Sequence, residues 1–236
     1  MRIEILIILF TFNILGHKDQ IKFENPNFER IVLTKYPEID LNSNGRIEAN
    51  EADQIKTLDL MGQNLVNVND VKYFKNLERL LITNNKISRL KLDSLKFLTD
   101  IYCAKNALKV FEISNMPALK QISCGLNQLT HVNIKNCPNL ESLNMMDNQL
   151  NKIDLSQFYR LKYLVLDNNK LKTLELSNNP ELIQITVNGN GFKVIDITKN
   201  QNLKMNIIYV DEGVNIVGTE SQMKNYKKVP TIIQSQ

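Results

Sequence analysis

Apolar residues in the middle of the chain recur with a fixed period. Leu77, Leu98, Leu119, Leu140, Leu161, Leu182 and Leu203 follow one another at steps of 21 residues. The most regular copy reads Leu161-x-x-Leu164-x-Leu166-x-x-Asn169-x-Leu171-x-x-Leu174-x-Leu176. The alternation around Leu164 and Leu166 predicts a short strand with one buried face. A repeat this short cannot bury its apolar side alone, so successive copies must stack as the coils of a solenoid. Their strands then pair in parallel, about 4.8 Å apart. An earlier copy of 22 residues starts at Ile55 and puts Gln63 at the asparagine position, and a degenerate last copy starts at Leu203 and puts Asp211 there.

Asparagine recurs in the same register, at Asn85, Asn106, Asn127, Asn148, Asn169 and Asn190. A coil leaving its strand turns sharply, and a buried turn holds backbone groups away from water. A primary amide both donates and accepts, so a column of asparagines can satisfy these turns from coil to coil. Loss of one is expected to cost about 1–3 kcal/mol, because its backbone partner stays buried. Leucines alone would also fit a helix; the asparagine column does not.

These positions define the pattern LxxLxLxxNxLxxLxL, and over about residues 55–213 the chain resembles the short bacterial class of leucine-rich repeats. The turns Ser114-Asn115-Met116-Pro117, Lys135-Asn136-Cys137-Pro138 and Ser177-Asn178-Asn179-Pro180 are similar to those of secreted repeat proteins from Bacteroidetes. The resemblance implies a right-handed leucine-rich-repeat solenoid, a β-rich α/β fold with parallel strands on its concave face. Each unit also holds two similar halves, since Leu161 to Asn169 is echoed by Leu171 to Asn179. The second half is therefore expected to be extended, giving short convex strands or turns and little convex helix.

A solenoid needs caps at its ends. Before the repeats stands Asp40-Leu41-Asn42-Ser43-Asn44-Gly45-Arg46-Ile47-Glu48-Ala49-Asn50-Glu51. This run resembles the calcium loop of an EF-hand. The resemblance assigns side-chain oxygens of Asp40, Asn42 and Asn44, the Arg46 carbonyl, Glu48 and a two-oxygen Glu51 as ligands of one Ca2+. Asparagines replace acids at two positions, so affinity is expected to be weak, on the order of 0.1–1 mM. Similar helix-loop caps precede the repeats of internalin-like proteins, where the shape need not hold calcium; a purely structural cap is the alternative. Phe28, Ile31 and Val32 before the loop have helical spacing.

The domain reading is a signal peptide over 1–16, a helical EF-hand-like cap over 24–54, repeats over 55–213, and a C-terminal cap and tail over 214–236. The first segment carries Arg2, an apolar run from Ile5 to Phe12, and Gly16 before His17. That run is too short to span a bilayer, which takes about 20 residues, and it fits export. An apolar N-terminal strand or helix is the other reading. No transmembrane segment is expected once the signal is removed.

Composition narrows the chemistry. The formal charge is +4 over 236 residues and the lysines are scattered, which does not favour nucleic acid. Cys103 and Cys124 occupy the same repeat position and are read as two buried small hydrophobes; with Cys137 the count is odd, which gives no disulfide framework. The only histidines are His17 and His131. No nucleophile–base set, phosphate loop or zinc spacing accompanies them, so an enzyme is not expected.

The residues between core positions of the first strand should face outward on the concave side. Leu81, Tyr102, Met146, Tyr163 and Val165 give that strip apolar and aromatic area of the kind that anchors a partner. The expected function is a secreted or surface-exposed module, monomeric, that recognises a protein or glycan through this face. Two alternatives stand beside it: a structural, calcium-stiffened spacer, and an intracellular regulatory subunit of another enzyme.

Overall fold

The computed structural model describes residues 20–203 and 207–224; the segments read as a signal peptide and as the final tail lie outside them. The strand signal of each repeat becomes one three-residue strand, starting with Thr57–Asp59, Arg79–Leu81 and Asp100–Tyr102. Gln121–Ser123, Ser142–Asn144, Tyr163–Val165 and Gln184–Thr186 follow, and the two-residue Ile208–Tyr209 ends the series. All eight form one sheet in chain order, each parallel to the next. The register places Leu58, Leu80, Ile101, Ile122, Leu143, Leu164, Ile185 and Ile208 in one inward column. These side chains are buried, and their neighbours on either side point out because strand side chains alternate. The fold is that of a leucine-rich-repeat solenoid.

Where each strand ends, one residue takes the left-handed conformation: Asn84, Lys105, Leu126, Asp147 and Asn168 have φ between 53° and 59°. The next residue is the repeat asparagine. Its Oδ1 accepts a backbone N–H from the preceding coil: Leu65 to Asn85 at 2.9 Å, Ile87 to Asn106 at 3.0 Å, and Leu108 to Asn127 at 3.0 Å. The series continues with Leu129 to Asn148 at 3.0 Å, Leu150 to Asn169 at 2.9 Å, and Leu171 to Asn190 at 3.1 Å. Each Nδ2 donates both to a carbonyl of its own coil and to one of the coil before, as Asn148 does to Met145 O and Cys124 O. One side chain therefore joins two coils; Asn148 and Asn169 do so buried and the other four partly buried.

The convex side is less regular than the half-repeat echo predicts. Arg89–Asp93, Val110–Ser114 and Asn133–Lys135 form a three-stranded parallel sheet, and Val194–Asp196 pairs with Asn215–Val217. Residues 152–156 and 173–177 form no strand. Their carboxylates draw backbone N–H groups into local turns: Asp154 accepts from Ser156 and Glu175 from Ser177, both at 2.9 Å. Asp196, which ends the strand Val194–Asp196, makes the same bond with Thr198 N at 2.8 Å, so these turns are compatible with the ladder. At the break the Gln157 amide stands in for the missing strand, accepting from Asn136 N at 3.1 Å and donating to Ile134 O at 2.7 Å. The longer first coil instead carries a 3-10 helix, Asn69–Tyr73.

The N-terminal end is closed by helix α1, Pro26–Lys35, which starts with Asn25 accepting from Asn27 N and buries Phe28, Ile31 and Val32. Phe23, Phe28, Tyr73 and Phe74 pack together with centroids 5.7–6.4 Å apart. The buried Asp70 carboxylate accepts from Glu24 N at 2.8 Å and Asn25 N at 3.0 Å, tying the cap to the first coil. The Tyr36 hydroxyl accepts Asp59 N at 2.7 Å, supplying a partner where the sheet has no further strand. At the other end the helical turn Glu220–Met223 begins with a reciprocal Thr219–Gln222 cap. Gln222 is buried and donates to Ile197 O and Asn200 O at 2.9 and 3.0 Å.

Candidate functional site

The exposed side of the long sheet is a set of straight columns. Parallel register aligns Asp59, Leu81, Tyr102, Ser123, Asn144, Val165, Thr186 and Tyr209 in one of them. Arg79, Asp100, Gln121, Ser142, Tyr163 and Gln184 form the next. Leu81, Tyr102, Met146 and Val165 are half-buried, whereas Tyr163 is 44% exposed. The Arg79 guanidinium lies 5.9 Å from the Tyr102 ring centroid and 3.9 Å from the Asp100 carboxylate, so this tyrosine is held against its neighbour. Met146 and Tyr163 belong to the other half of the face. There Gly125 gives Met146 room, since a Cβ on it would stand 2.9 Å from Met146 Cγ.

The face turns polar toward its C-terminal end. Asp167 accepts from Asn188 N at 3.0 Å, from Asn188 Nδ2 at 2.8 Å and from the Thr186 hydroxyl. On the flank, Lys56–Glu78 and Glu141–Lys162 are ion pairs at 2.8 Å. Lys162 holds the Glu141 carboxyl below its usual range and gains a higher pKa in return; both pairs are partly exposed, so solvent screens them. Tyr209, 46% exposed, extends the aromatic series. The decayed last repeat hid it, because the Leu203 copy lacks the regular spacing.

The cap loop has the turn geometry of its sequence. Asp40 accepts Asn44 N at 3.0 Å and Gly45 N at 2.8 Å, Asn42 accepts Asn44 N at 3.0 Å, and Asn44 accepts Arg46 N at 2.8 Å. Gly45 has φ 75°, a conformation open to glycine. Glu48 accepts from the amides of Asn42 and Asn44 at 3.2 and 2.7 Å. Glu51 is buried, and its two oxygens take Leu41 N and Glu48 N, each at 2.8 Å. Burial pushes the Glu51 carboxyl up, while hydrogen bonds to Glu51 and Asn44 hold Glu48 down. The loop's carboxylate, amide and carbonyl oxygens are the donor type that a hard cation takes. The three carboxylates, however, do not converge: among the described residues no three His, Cys, Asp or Glu side chains stand close enough to share a metal.

Two features of the convex side carry weak signals in the sequence. The buried position that holds Leu95, Met116, Cys137 and Phe158 in four coils becomes Asn179 and Asn200 in the next two. Asn179 Nδ2 donates to Leu155 O at 3.0 Å and Phe158 O at 2.8 Å, and Asn200 Nδ2 donates to Leu176 O and Asn179 O at 2.9 and 2.8 Å. This is a second amide column, completed by Gln222. Beside the turns of earlier coils lies a recess of about 620 Å³ bordered by Pro117, Pro138 and Tyr159. The recurring proline was the signal for it. Cys103, Cys124 and Cys137 are buried free thiols, and burial raises the pKa of Cys124 well above its ordinary value.

The geometry defines a repeat solenoid with an aromatic-bearing strand face. No family model and no curated protein matches the chain. Among solved structures it is similar to an internalin, inlF, from Listeria monocytogenes, with 17% identity, TM-score 0.60 and 86% of this chain covered. The chain spans 66% of that internalin's length. It is also similar to a Shigella effector LRR domain, at 19% identity and TM-score 0.57, covering 85% of this chain and 82% of that one. The internalin C2 of Listeria monocytogenes matches at 22% identity and TM-score 0.50, over 80% and 94%. These likenesses establish the leucine-rich-repeat fold. Among the described residues no helix is long and apolar enough to cross a membrane.

Proposed function

We propose that the chain is an exported recognition module, not an enzyme, that holds a protein partner on the exposed side of its long sheet. The observation that carries the reading is the seating of the half-buried Leu81, Tyr102, Met146 and Val165 and the exposed Tyr163 on a fully buried backing. Tyr163 stands 44% exposed on a strand whose inward neighbour, Leu164, is fully buried. Tyrosines on a fixed sheet lose little freedom on docking and supply large contact area. The internalin and effector likenesses supply the fold on which such a face is built, and the N-terminal apolar run of residues 5–12 supports export. A glycan is the alternative occupant of the same face.

The test is a pull-down from the organism's surroundings with the full chain and a Tyr102→Ser, Tyr163→Ser double variant. Recovery should fall sharply with the variant. Undiminished recovery by a variant that melts like the parent would remove the face from the reading. Mass spectrometry of the native N-terminus decides export: Met1 intact in the cell lysate counts against it.

A second reading, in which calcium stiffens the cap, draws on the Asp40, Asn42 and Asn44 turns. Asp40, Asn42, Asn44, Glu48, Glu51 and the Arg46 carbonyl would hold the ion, which would add charge neutralisation to a loop now closed by hydrogen bonds. Loading requires Glu51 to leave the N–H groups of Leu41 and Glu48. Millimolar calcium should then raise the melting temperature of the parent and leave Glu51→Gln unmoved. Equal melting of the parent in calcium and in chelator rejects the ion.

A further inference from the structure

The two halves of the strand face differ in how their charges are met. Toward the N-terminus the chain complements itself. The Arg79 guanidinium lies 5.9 Å from the Tyr102 ring centroid and 3.9 Å from the Asp100 carboxylate, and Lys35 pairs with Asp59 at 3.4 Å. A planar cation there meets an aromatic face and a carboxylate together, both of which suit a guanidinium. From the strand Ser142–Asn144 onward the same two partners recur without the cation. Tyr163 and Tyr209 stand 44% and 46% exposed, and among the described residues no lysine or arginine lies over either ring.

Beside these rings the face ends in an acidic edge. Positions 146–147, 167–168, 188–189 and 211–212 lie two and three residues past the last four strands. They hold Asp147, Asp167, Asp211 and Glu212 and neither lysine nor arginine. Among the described residues none of the four carboxylates has a cation within 4.0 Å. Lys170, the next basic residue after this edge in its coil, turns its ammonium to Gln149 Oε1 at 3.3 Å. The bonds the carboxylates accept come from neutral donors: Asp147 takes Asn168 Nδ2 at 2.8 Å, and Asp211 takes Gly189 N and Asn190 N at 2.9 and 3.2 Å. A carboxylate can accept about four bonds, and a neutral donor leaves its charge in place. The chain carries a formal charge of +4, so the lack of cations is local to this edge.

We propose that this half of the face takes an arginine-bearing segment of the partner. Its apolar residues lie against Tyr163 and Val165, and its guanidinium groups against Tyr209 and the acidic edge. The proposal rests on the strand face being the docking surface and adds what the partner must carry. Arginine suits the site better than lysine, because its planar fork can lie on a ring while it bonds a carboxylate. Arg79 with Tyr102 and Asp100 is the pattern, inside the chain, that the partner would complete. A shared metal ion fits the edge poorly, since among the described residues no three His, Cys, Asp or Glu side chains stand close enough to hold one. Charges that meet at a partly solvated rim speed encounter and are screened by salt.

Fluorescence anisotropy of the full chain with a labelled octapeptide of alternating leucine pairs and arginine pairs tests it. Saturable binding is expected at about 50 mM salt, weakened about fivefold or more at about 500 mM. The counterpart with citrulline for arginine keeps the shape without the charge and should bind about tenfold more weakly. Asp147→Asn with Glu212→Gln removes two charges and spares the bonds of Asp167 and Asp211; Asp147 has φ 53°, which asparagine adopts readily. This variant, shown by its melt to be folded, should lose about fivefold or more in peptide affinity, and Tyr209→Ser should weaken binding as well. Absence of saturation, equal binding of the arginine and citrulline peptides, or unchanged affinity in the folded Asp147→Asn, Glu212→Gln variant would each overturn the inference. Partner recovery that falls with Tyr102→Ser, Tyr163→Ser but not with Asp147→Asn, Glu212→Gln removes the arginine and keeps the strand face; recovery unchanged by both removes the face itself.

Discussion

Replacing Asn148 by alanine isolates what the asparagine column contributes. Asn148 is buried, and its Oδ1 is the acceptor for Leu129 N, on a residue that is itself fully buried. Its nitrogen serves Cys124 O, Met145 O and Met146 O, each at 3.1 Å. Those carbonyls have other donors: Asn127 Nδ2 also reaches Cys124 O, Asn169 Nδ2 reaches Met145 O, and Leu126 N reaches Met146 O. The loss therefore falls mainly on one orphaned N–H. That costs about 1–3 kcal/mol, which for a chain of this size lowers the melting temperature by about 2–12 °C. Urea unfolding followed by far-ultraviolet circular dichroism measures it as a shift of midpoint at unchanged slope. Asn148→Asp separates the two halves of the amide. It keeps the acceptor for Leu129 N but turns a carboxylate toward three carbonyl oxygens, which raises its folded pKa. A raised folded pKa favours the fold below the unfolded value and loses that benefit as pH rises through the folded one. The aspartate variant should thus be closest to the parent in acid and fall away toward neutrality. An alanine penalty below about 0.5 kcal/mol, within the range of ordinary surface changes, or an aspartate variant indifferent to pH, would refute the reasoning.

Other outcomes follow from the same structure. Asn179→Met, which restores the type of residue found at Met116, should cost less than Asn148→Ala in the same urea assay. Asn179 Oδ1 is buried without a partner, and Leu155 O and Phe158 O keep the N–H groups of Phe158 and Leu161. Leu126→Asn should stabilise the chain by about 0.5–1 kcal/mol, since φ 56° strains a leucine more than an asparagine; an unchanged urea midpoint would count against strain at this turn. Three side-chain donors, Ser114 first, hold the Asp93 carboxyl below its usual range. Its contribution is complete above the unfolded pKa and lost as pH falls through the lower folded value, so a carboxyl-carbon NMR titration should show Asp93 protonating after an ordinary aspartate.

The coil and its asparagine were legible because both rest on strict spacing. Leu77 to Leu203 marks the coils, and a polar residue fixed among them has one place to go. The convex side was less legible because strand and turn share a pattern there. Glu112 and Asp154 occupy equivalent positions, yet Val110–Ser114 is a strand and residues 152–156 are not. The difference lies in Gln157, one residue whose amide takes the place of a backbone segment. Gln222 was hidden for a related reason, since it reaches the core from a helical turn instead of a repeat. At the strand face, spacing placed Tyr102 and Tyr163 in their columns, but it carried no information about Arg79 lying over Tyr102. At the cap, the motif located the loop without showing that Glu51 serves two backbone N–H groups.

The second amide column gives the solenoid a direction along its length. Asn179, Asn200 and Gln222 each send their N–H groups back toward the previous coil. A duplicate of the Asn200 coil inserted before Gln222 would extend this chain of donors, so the molecule can be lengthened there by one more unit of the same kind. A duplicate of the Met116 coil at that point would present a thioether to carbonyls that now receive an amide. Coils that look interchangeable from the front are thus not interchangeable from behind, and the order in which they can be cut and rejoined is written on the convex side.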